Sequence, residues 1–399
     1  MENACSTPTP LHIACLNQIN NEDDTMRKTT AALGASLLAL SAQSAFAQSS
    51  VTLYGIVDTA IRFQTNADAA NNNLIGMTVG AVTPSRWGLK GKEDLGGGLS
   101  AIFKLENQFQ LWSGKLDSTS NQLFKRAAWV GLSSDEFGTL TFGRQQTPFF
   151  EEMGNTFDPL TVGDYWQDSW IYNPVGPFLY SDNSIKYAKT LGGLSVKAMY
   201  GFGNQAGSVG KDSMYGLTAT YTFGPVEGIV GWQQNDAPVR TSLFNPTGAQ
   251  GKWNQVNVGV VYTVVPAVRL MAGWLRSQDR TGTVDNAQVQ SGDGLPLGLN
   301  PSPNRIDNNF YIGTTWQATV PLLITAVGYY GRTQNATMLD NTLGGGHNYS
   351  ATLLAEYALS KRTEVYGTVD YTRGTGAYLT AYPGHNNQTG VALGLRNIF

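Results

Sequence analysis

The sequence predicts an all-β fold, a single transmembrane barrel of sixteen antiparallel strands. Three observations carry this: two-residue periodicity in segment after segment, connections that are alternately short and long, and a final alternating apolar strand closed by Phe399. Composition sets the frame. The chain has 399 residues with 46 Gly, 16 Phe, 18 Tyr, 9 Trp and only 14% charged residues, a mixture that favours strands and turns. No apolar run reaches the roughly 18 residues that a membrane-spanning helix requires, so a helical membrane protein is excluded.

From Met26 the chain carries Arg27 and Lys28, then the apolar stretch Ala31 to Leu40, then Ala45-Phe46-Ala47, the order of a secretory signal peptide. Cleavage is expected after Ala47. Residues 1–25 then read as an upstream extension, 26–47 as the signal peptide and 48–399 as the barrel, with no linker to a second domain. Both cysteines, Cys5 and Cys15, fall before the cleavage point, which removes disulfides and cysteine metal sites from the exported chain. Removing residues 1–47 takes two of 26 basic and four of 29 acidic residues and leaves 24 against 25. That near-neutral balance gives no footprint for nucleic acid.

The alternation is read residue by residue. Tyr215, Leu217, Ala219, Tyr221 and Phe223 alternate with Gly216, Thr218, Thr220 and Thr222, and Val256, Val258, Val260 and Tyr262 with Asn257, Gly259 and Thr263. Phe310, Ile312 and Trp316 face away from Asn309, Gly313 and Gln317, as Val365, Val369 and Tyr371 do from Glu364, Thr368 and Asp370. A soluble β-sandwich alternates too, but its strands are usually about five or six residues long. Strands of about ten residues with aromatic ends fit a bilayer span with aromatic girdles.

Seven short connections lie at residues 94–98, 133–136, 191–193, 224–225, 265–266, 320–321 and 360–361. Between them run eight long polar ones near 64–83, 111–122, 147–182, 204–212, 236–251, 279–306, 334–346 and 374–388. Together they join sixteen strands, and a barrel of that size leaves an aqueous channel.

Parity also sorts the charged residues. With Leu53 and Val57 facing lipid, Tyr54, Asp58 and Arg62 face the lumen; with Trp87 and Leu89 outside, Arg86 and Lys90 are inside; and Phe103 and Leu105 outside place Lys104 and Glu106 inside. Charges on these faces are tolerable where they line water.

Several motifs resemble the general porins of Gram-negative bacteria, and those of β-proteobacteria most. They are Ser49 to Gly55, Ser85-Arg86-Trp87-Gly88-Leu89-Lys90-Gly91, Glu93-Asp94-Leu95-Gly96, Thr141-Phe142-Gly143-Arg144 and the terminal Gly394 to Phe399. The match spans nearly the whole exported chain. The resemblance implies a homotrimer in the outer membrane, each barrel narrowed by an inward-folded third loop, here Thr147 to Asp182, and passing small hydrophilic solutes and ions without a cofactor. It implies wall arginines, Arg86 and Arg126, opposite acidic loop residues, for which Asp158, Asp164, Glu151 and Glu152 are the candidates. Arg144, after the Gly143 bend, is expected to anchor the loop or the subunit seam. Phe399 is expected to be the signal that the outer-membrane assembly machinery reads. Two departures concern selectivity: Asp158-Pro159-Leu160-Thr161 stands where related porins carry Pro-Glu-Phe-Gly, and Ile56 where some carry a lysine.

Other chemistries are weaker. Gly201-Phe202-Gly203-Asn204-Gln205-Ala206 fits a loose dinucleotide pattern with no helix after it and reads as a loop tip, and Gly207-Ser208-Val209-Gly210-Lys211 lacks the first glycine of a phosphate loop. His347 and His385 are expected in polar Gly- and Asn-rich loops, without a second ligand at metal spacing, and read as surface residues. Glu151 and Glu152, on strand-like backbone, would point to opposite sides, and no nucleophile elbow exists, so no enzyme is predicted. An adhesin or surface-receptor barrel is the alternative; charged lumen residues favour conduction.

Overall fold

The alternating segments form seventeen strands in the computed structural model, which describes residues 50–117, 122–161, 163, 165, 179–238, 250–285, 301–382 and 384–399. The expected extension, signal peptide and cysteines lie outside the described residues, as does Asp164. In chain order the strands are β1 (Ser50–Gln64), β2 (Leu74–Val79), β3 (Arg86–Gly96), β4 (Leu99–Gln108), β5 (Ala127–Ser134), β6 (Gly138–Gln146), β7 (Tyr180–Leu191), β8 (Leu194–Gly201) and β9 (Met214–Phe223). Then follow β10 (Val226–Pro238), β11 (Gln250–Val265), β12 (Val268–Asp279), β13 (Arg305–Gln317), β14 (Leu322–Thr337), β15 (Leu343–Ala358), β16 (Thr363–Gly376) and β17 (Asn387–Ile398).

Successive strands pair antiparallel, and β17 returns to β1 with Ile56 opposite Ile398 and Gln64 opposite Gly390, so the sheet closes. β2 and β3 both pair with β1, β2 along Thr59 to Gln64 and β3 along Ser50 to Ile56. They are two halves of one stave. Seventeen segments therefore build a sixteen-stranded barrel. Closure leaves no open edge in the bilayer, which the absence of water there requires.

Two connections differ from the sequence reading. The first was expected to loop from 64 to 83, yet β2 occupies part of it, so the chain leaves the ladder in two stretches, residues 65–73 and 80–85. Pro84 cannot donate to a ladder, and the break is stapled to Asp58. Asp58 Oδ2 accepts from the Thr83 amide at 3.1 Å and Oδ1 from Tyr366 Oη at 2.6 Å, while the Asp58 amide donates to Ser85 Oγ at 2.9 Å. Gly80 lies so close to Asp58 that a Cβ would overlap its carboxylate. The connection expected at 334–346 shrinks to 338–342, because β14 and β15 run on past the membrane. His347 accordingly sits on a strand, not in a loop.

Parity divides the barrel's two faces. Ile61, Ile312 and Leu393 are 61%, 71% and 70% exposed on the outer face, whereas Asp58, Thr218, Gln255 and Asp370 on the other parity are buried. Phe399 closes the outer seam: its amide donates to Gly55 O and its carbonyl accepts from Gly55 N, both at 3.0 Å. The Phe399 ring fills the space a side chain at Gly55 would need. The apolar core lies inside the barrel, between the segment after β6 and the lumen side of β10 to β15. No helix among the described residues is long and apolar enough to cross a membrane.

Candidate pore constriction

The segment after β6 turns inward because its own sequence nucleates a helix there. Thr147 Oγ1 accepts from the Phe150 amide, Pro148 takes the first helical position, and α1 (Pro148–Glu152) passes into a π-helical turn over Met153–Phe157. Phe149, Met153 and Phe157 fall on one face. They pack on Ile229, Val261, Met271 and Leu275, apolar residues at lumen parity. Leu160 and Tyr165 extend this packing to Ala81 and Val82 of the β2–β3 break.

The helix corrects the expectation that Glu151 and Glu152 diverge. Adjacent helical positions lie about 100° apart, and both carboxylates reach the β7–β8 wall. Glu151 accepts from Lys186 at 2.7 Å and Lys197 at 2.9 Å, and Glu152 pairs with Lys197 at 2.6 Å. Burial works against the charged form of Glu151, but the two lysines outweigh it and hold its carboxyl below the usual carboxylate range.

The basic wall is centred on Glu106, 5% exposed. It accepts from Arg126 Nε at 2.7 Å, Tyr54 Oη at 2.7 Å and Lys104 Nζ at 3.0 Å, while Arg126 also donates to Gln108 at 2.8 Å. Arg86 and Arg126 line the same cavity, and Lys104 lies beneath them in the Glu106 cluster. Arg144 donates to the Lys125 carbonyl at 2.6 Å and to Asp182 at 2.7 Å, with Tyr180 under its guanidinium at 5.4 Å. It thus joins the roots of two loops.

Two predicted lumen residues are packed away from open water. Arg62 forms a two-pronged bridge to Asp370, both contacts at 2.7 Å, beneath the Tyr165 ring at 3.8 Å. Asp158 is 1% exposed and accepts from Tyr329 Oη at 2.7 Å, tying the inward segment to β14. Parity had put Arg62 on the lumen side, and the resemblance had put Asp158 on the inward loop. Neither could give the partners that cover them.

Two cavities meet at this segment. A cavity of about 940 Å³ opens toward the long connections and includes Arg86, Arg126, Arg144 and Asp117; one of about 370 Å³ opens toward the short turns and includes Pro266, Arg269 and Arg396. Val82, Asn155 and Thr161 line both. They mark the neck among the described residues. Sequence reading missed these three, and also the apolar anchors of the loop. The available signal was Ile229, Val261, Met271 and Leu275, apolar residues on a parity that is otherwise polar.

A closed barrel with an apolar exterior, a polar interior and a neck between two wet cavities defines a β-barrel channel. The comparisons make the class specific. The family model for Gram-negative porins matches residues 30–377, and the chain belongs to that family. An outer membrane porin protein of Bordetella pertussis is 29% identical over 404 residues, covering 94% of this chain and all of the relative. Outer membrane porin protein 32 of Delftia acidovorans is 28% identical over 410 residues with the same coverage. Among solved structures, an anion-selective porin from Comamonas acidovorans matches with a TM-score of 0.69 at 22% identity, over 88% of this chain and 100% of that one. OmpF of Salmonella typhi matches with 0.56 at 17% identity, over 88% and 97%. The protein is an outer-membrane porin.

Proposed function

We propose that this porin is a trimeric, cofactor-free diffusion channel for small hydrophilic solutes and ions, a conduit and not an enzyme, with anions favoured. The observation that carries this reading is the pair of arginines, Arg86 and Arg126, lining the larger cavity on the way to a neck bordered by the uncharged Asn155 and Thr161. Cationic groups in a low-dielectric frame raise the local concentration of anions and lower that of cations. The Comamonas acidovorans relative, itself anion-selective, supports the same sign. Arg144 is the anchor of the inward loop, Lys104 sets the field through Glu106, and Asp158 and Arg62 hold the loop to the wall. Residues 26–47 direct export, and Phe399 is the mark read by the assembly machinery.

The test is electrical. Purified protein in a planar bilayer is expected to insert in steps of three equal conductances. In a salt gradient the reversal potential is expected to have the sign of anion preference and to move toward cations in the Arg86→Ala, Arg126→Ala double variant. Absence of current would remove the channel reading, and an unmoved reversal potential would remove the two arginines from the permeation path.

A further inference from the structure

We propose that the outer surface of β12 to β16, at its loop end, is a binding site for the phosphate-bearing headgroups of lipids in the extracellular leaflet. An aromatic row marks the level of this site. On the outward parity, register sets Trp274 opposite Phe310, Phe310 opposite Tyr330 and Tyr330 opposite Tyr349. The Phe310 and Tyr330 rings stack at 6.1 Å, and those of Tyr330 and Tyr349 lie 5.3 Å apart. Aromatic rows of this kind sit at the level where hydrocarbon gives way to headgroups.

One side-chain row nearer the loops, the outward residues become basic. Arg276 stands opposite Asn308, Asn308 opposite Arg332 and Arg332 opposite His347, while Arg373 flanks Tyr349. Neighbouring strands are about 4.8 Å apart, so Arg276 and Arg332 are separated by about 10 Å along the row. Asn308 is fixed by the Trp274 indole at 3.3 Å, and His347 stacks on Tyr330 with its Nδ1 2.9 Å from the phenol oxygen. The row is therefore seated on the aromatic girdle.

Charge separation points to the ligand. Every carboxylate on these five strands, namely Asp279, Asp307, Glu356, Glu364 and Asp370, takes the lumen parity. Among the described residues none forms an ion pair with Arg276, Arg332 or Arg373, whereas Arg305 and Arg396 on the lumen parity are each paired with two. Arginines without a carboxylate partner among the described residues, at the headgroup level of an apolar wall, are matched by anions from the leaflet, and lipid phosphates stand at that height.

The experiment titrates the folded, detergent-solubilised porin with diphosphoryl lipid A and counts bound lipid by native mass spectrometry. Each arginine near a charged lipid surface is worth roughly fivefold in affinity, so R276Q/R332Q/R373Q is expected to bind on the order of a hundredfold more weakly. Its single-channel conductance is expected to match the wild type, which verifies folding. K361Q/R362Q, at the opposite end of the barrel, is expected to bind like the wild type. Equal binding by the triple variant would overturn the proposal. So would equal loss in K361Q/R362Q, equal binding of fully dephosphorylated lipid A, or displacement of the lipid by an equal concentration of inorganic phosphate.

Discussion

Replacing Phe149 and Phe157 together by alanine tests what holds the neck in place. Both rings have no exposed surface and lie against the lumen side of the wall. Truncating one fully buried phenylalanine costs about 3–5 kcal/mol. The ion pairs of the same segment contribute less, because the Glu151 side chain keeps 25% of its exposure, and partly wetted pairs are worth about 1 kcal/mol. The magnitudes assign docking of the loop to its apolar face, with the carboxylates setting orientation. The double variant leaves every ladder hydrogen bond in place and is expected to insert normally. Its open-channel current should flicker as the loop leaves the wall, and protease should cut within residues 147–182. Glu151→Gln alone should remain quiet. A quiet double variant, or a flickering Glu151→Gln, would refute this ranking.

Other perturbations follow from named contacts. Asp370→Asn leaves Arg62 buried without its carboxylate and is expected to cost about 3–5 kcal/mol, seen as a lower thermal midpoint, whereas Arg62→Leu with Asp370→Asn should lose less than the two single variants summed. Gly80→Ala drives a methyl group into the Asp58 carboxylate and should lower thermal stability while leaving strand content unchanged by circular dichroism. Deleting Phe399 removes both hydrogen bonds to Gly55 and should reduce the inserted fraction in cells without altering the conductance of molecules that do insert. For pH, the Glu151 carboxyl is depressed in the folded state, so its contribution is complete above the unfolded carboxylate value of about 4.3 and disappears as pH falls through the lower folded value. The difference in thermal midpoint between the wild type and Glu151→Gln, followed from pH 7 to pH 3, should shrink only below about pH 4; shrinkage already at pH 6 would contradict the assignment.

The barrel was legible because bilayer physics writes a period of two into every strand, and Leu217, Val258 and Ile312 all fall on the exposed face that alternation assigned them. The short turns were legible for the same reason, since each interrupts the alternation. The β2–β3 break was not. Its cause is the close approach of Gly80 to Asp58, and Asp58 is fixed by Tyr366, 308 residues along the chain, which becomes its neighbour only when the barrel closes. The long ends of β14 and β15 escaped because residues beyond the membrane have no lipid face to alternate against.

At the constriction, sequence reading separated inside from outside and could go no further, because two kinds of inward charge look alike in sequence. Arg86 and Arg126 border the larger cavity, while Arg62 has the same parity and is covered by Asp370 and Tyr165. The difference lies in the route of the inward segment. Its apolar face needs apolar wall, and Ile229, Val261, Met271 and Leu275 supply that on β10 to β12. The loop therefore leans on that side, its carboxylates turn to Lys186 and Lys197, and the arginines of β3 and the approach to β5 border the larger cavity, Arg126 held there by Glu106 and Gln108. On this account the side of the barrel that conducts is chosen by the apolar residues opposite it. Exchanging Met271 and Leu275 for polar residues should then relocate the permeation path, read as a change in reversal potential with no charge altered.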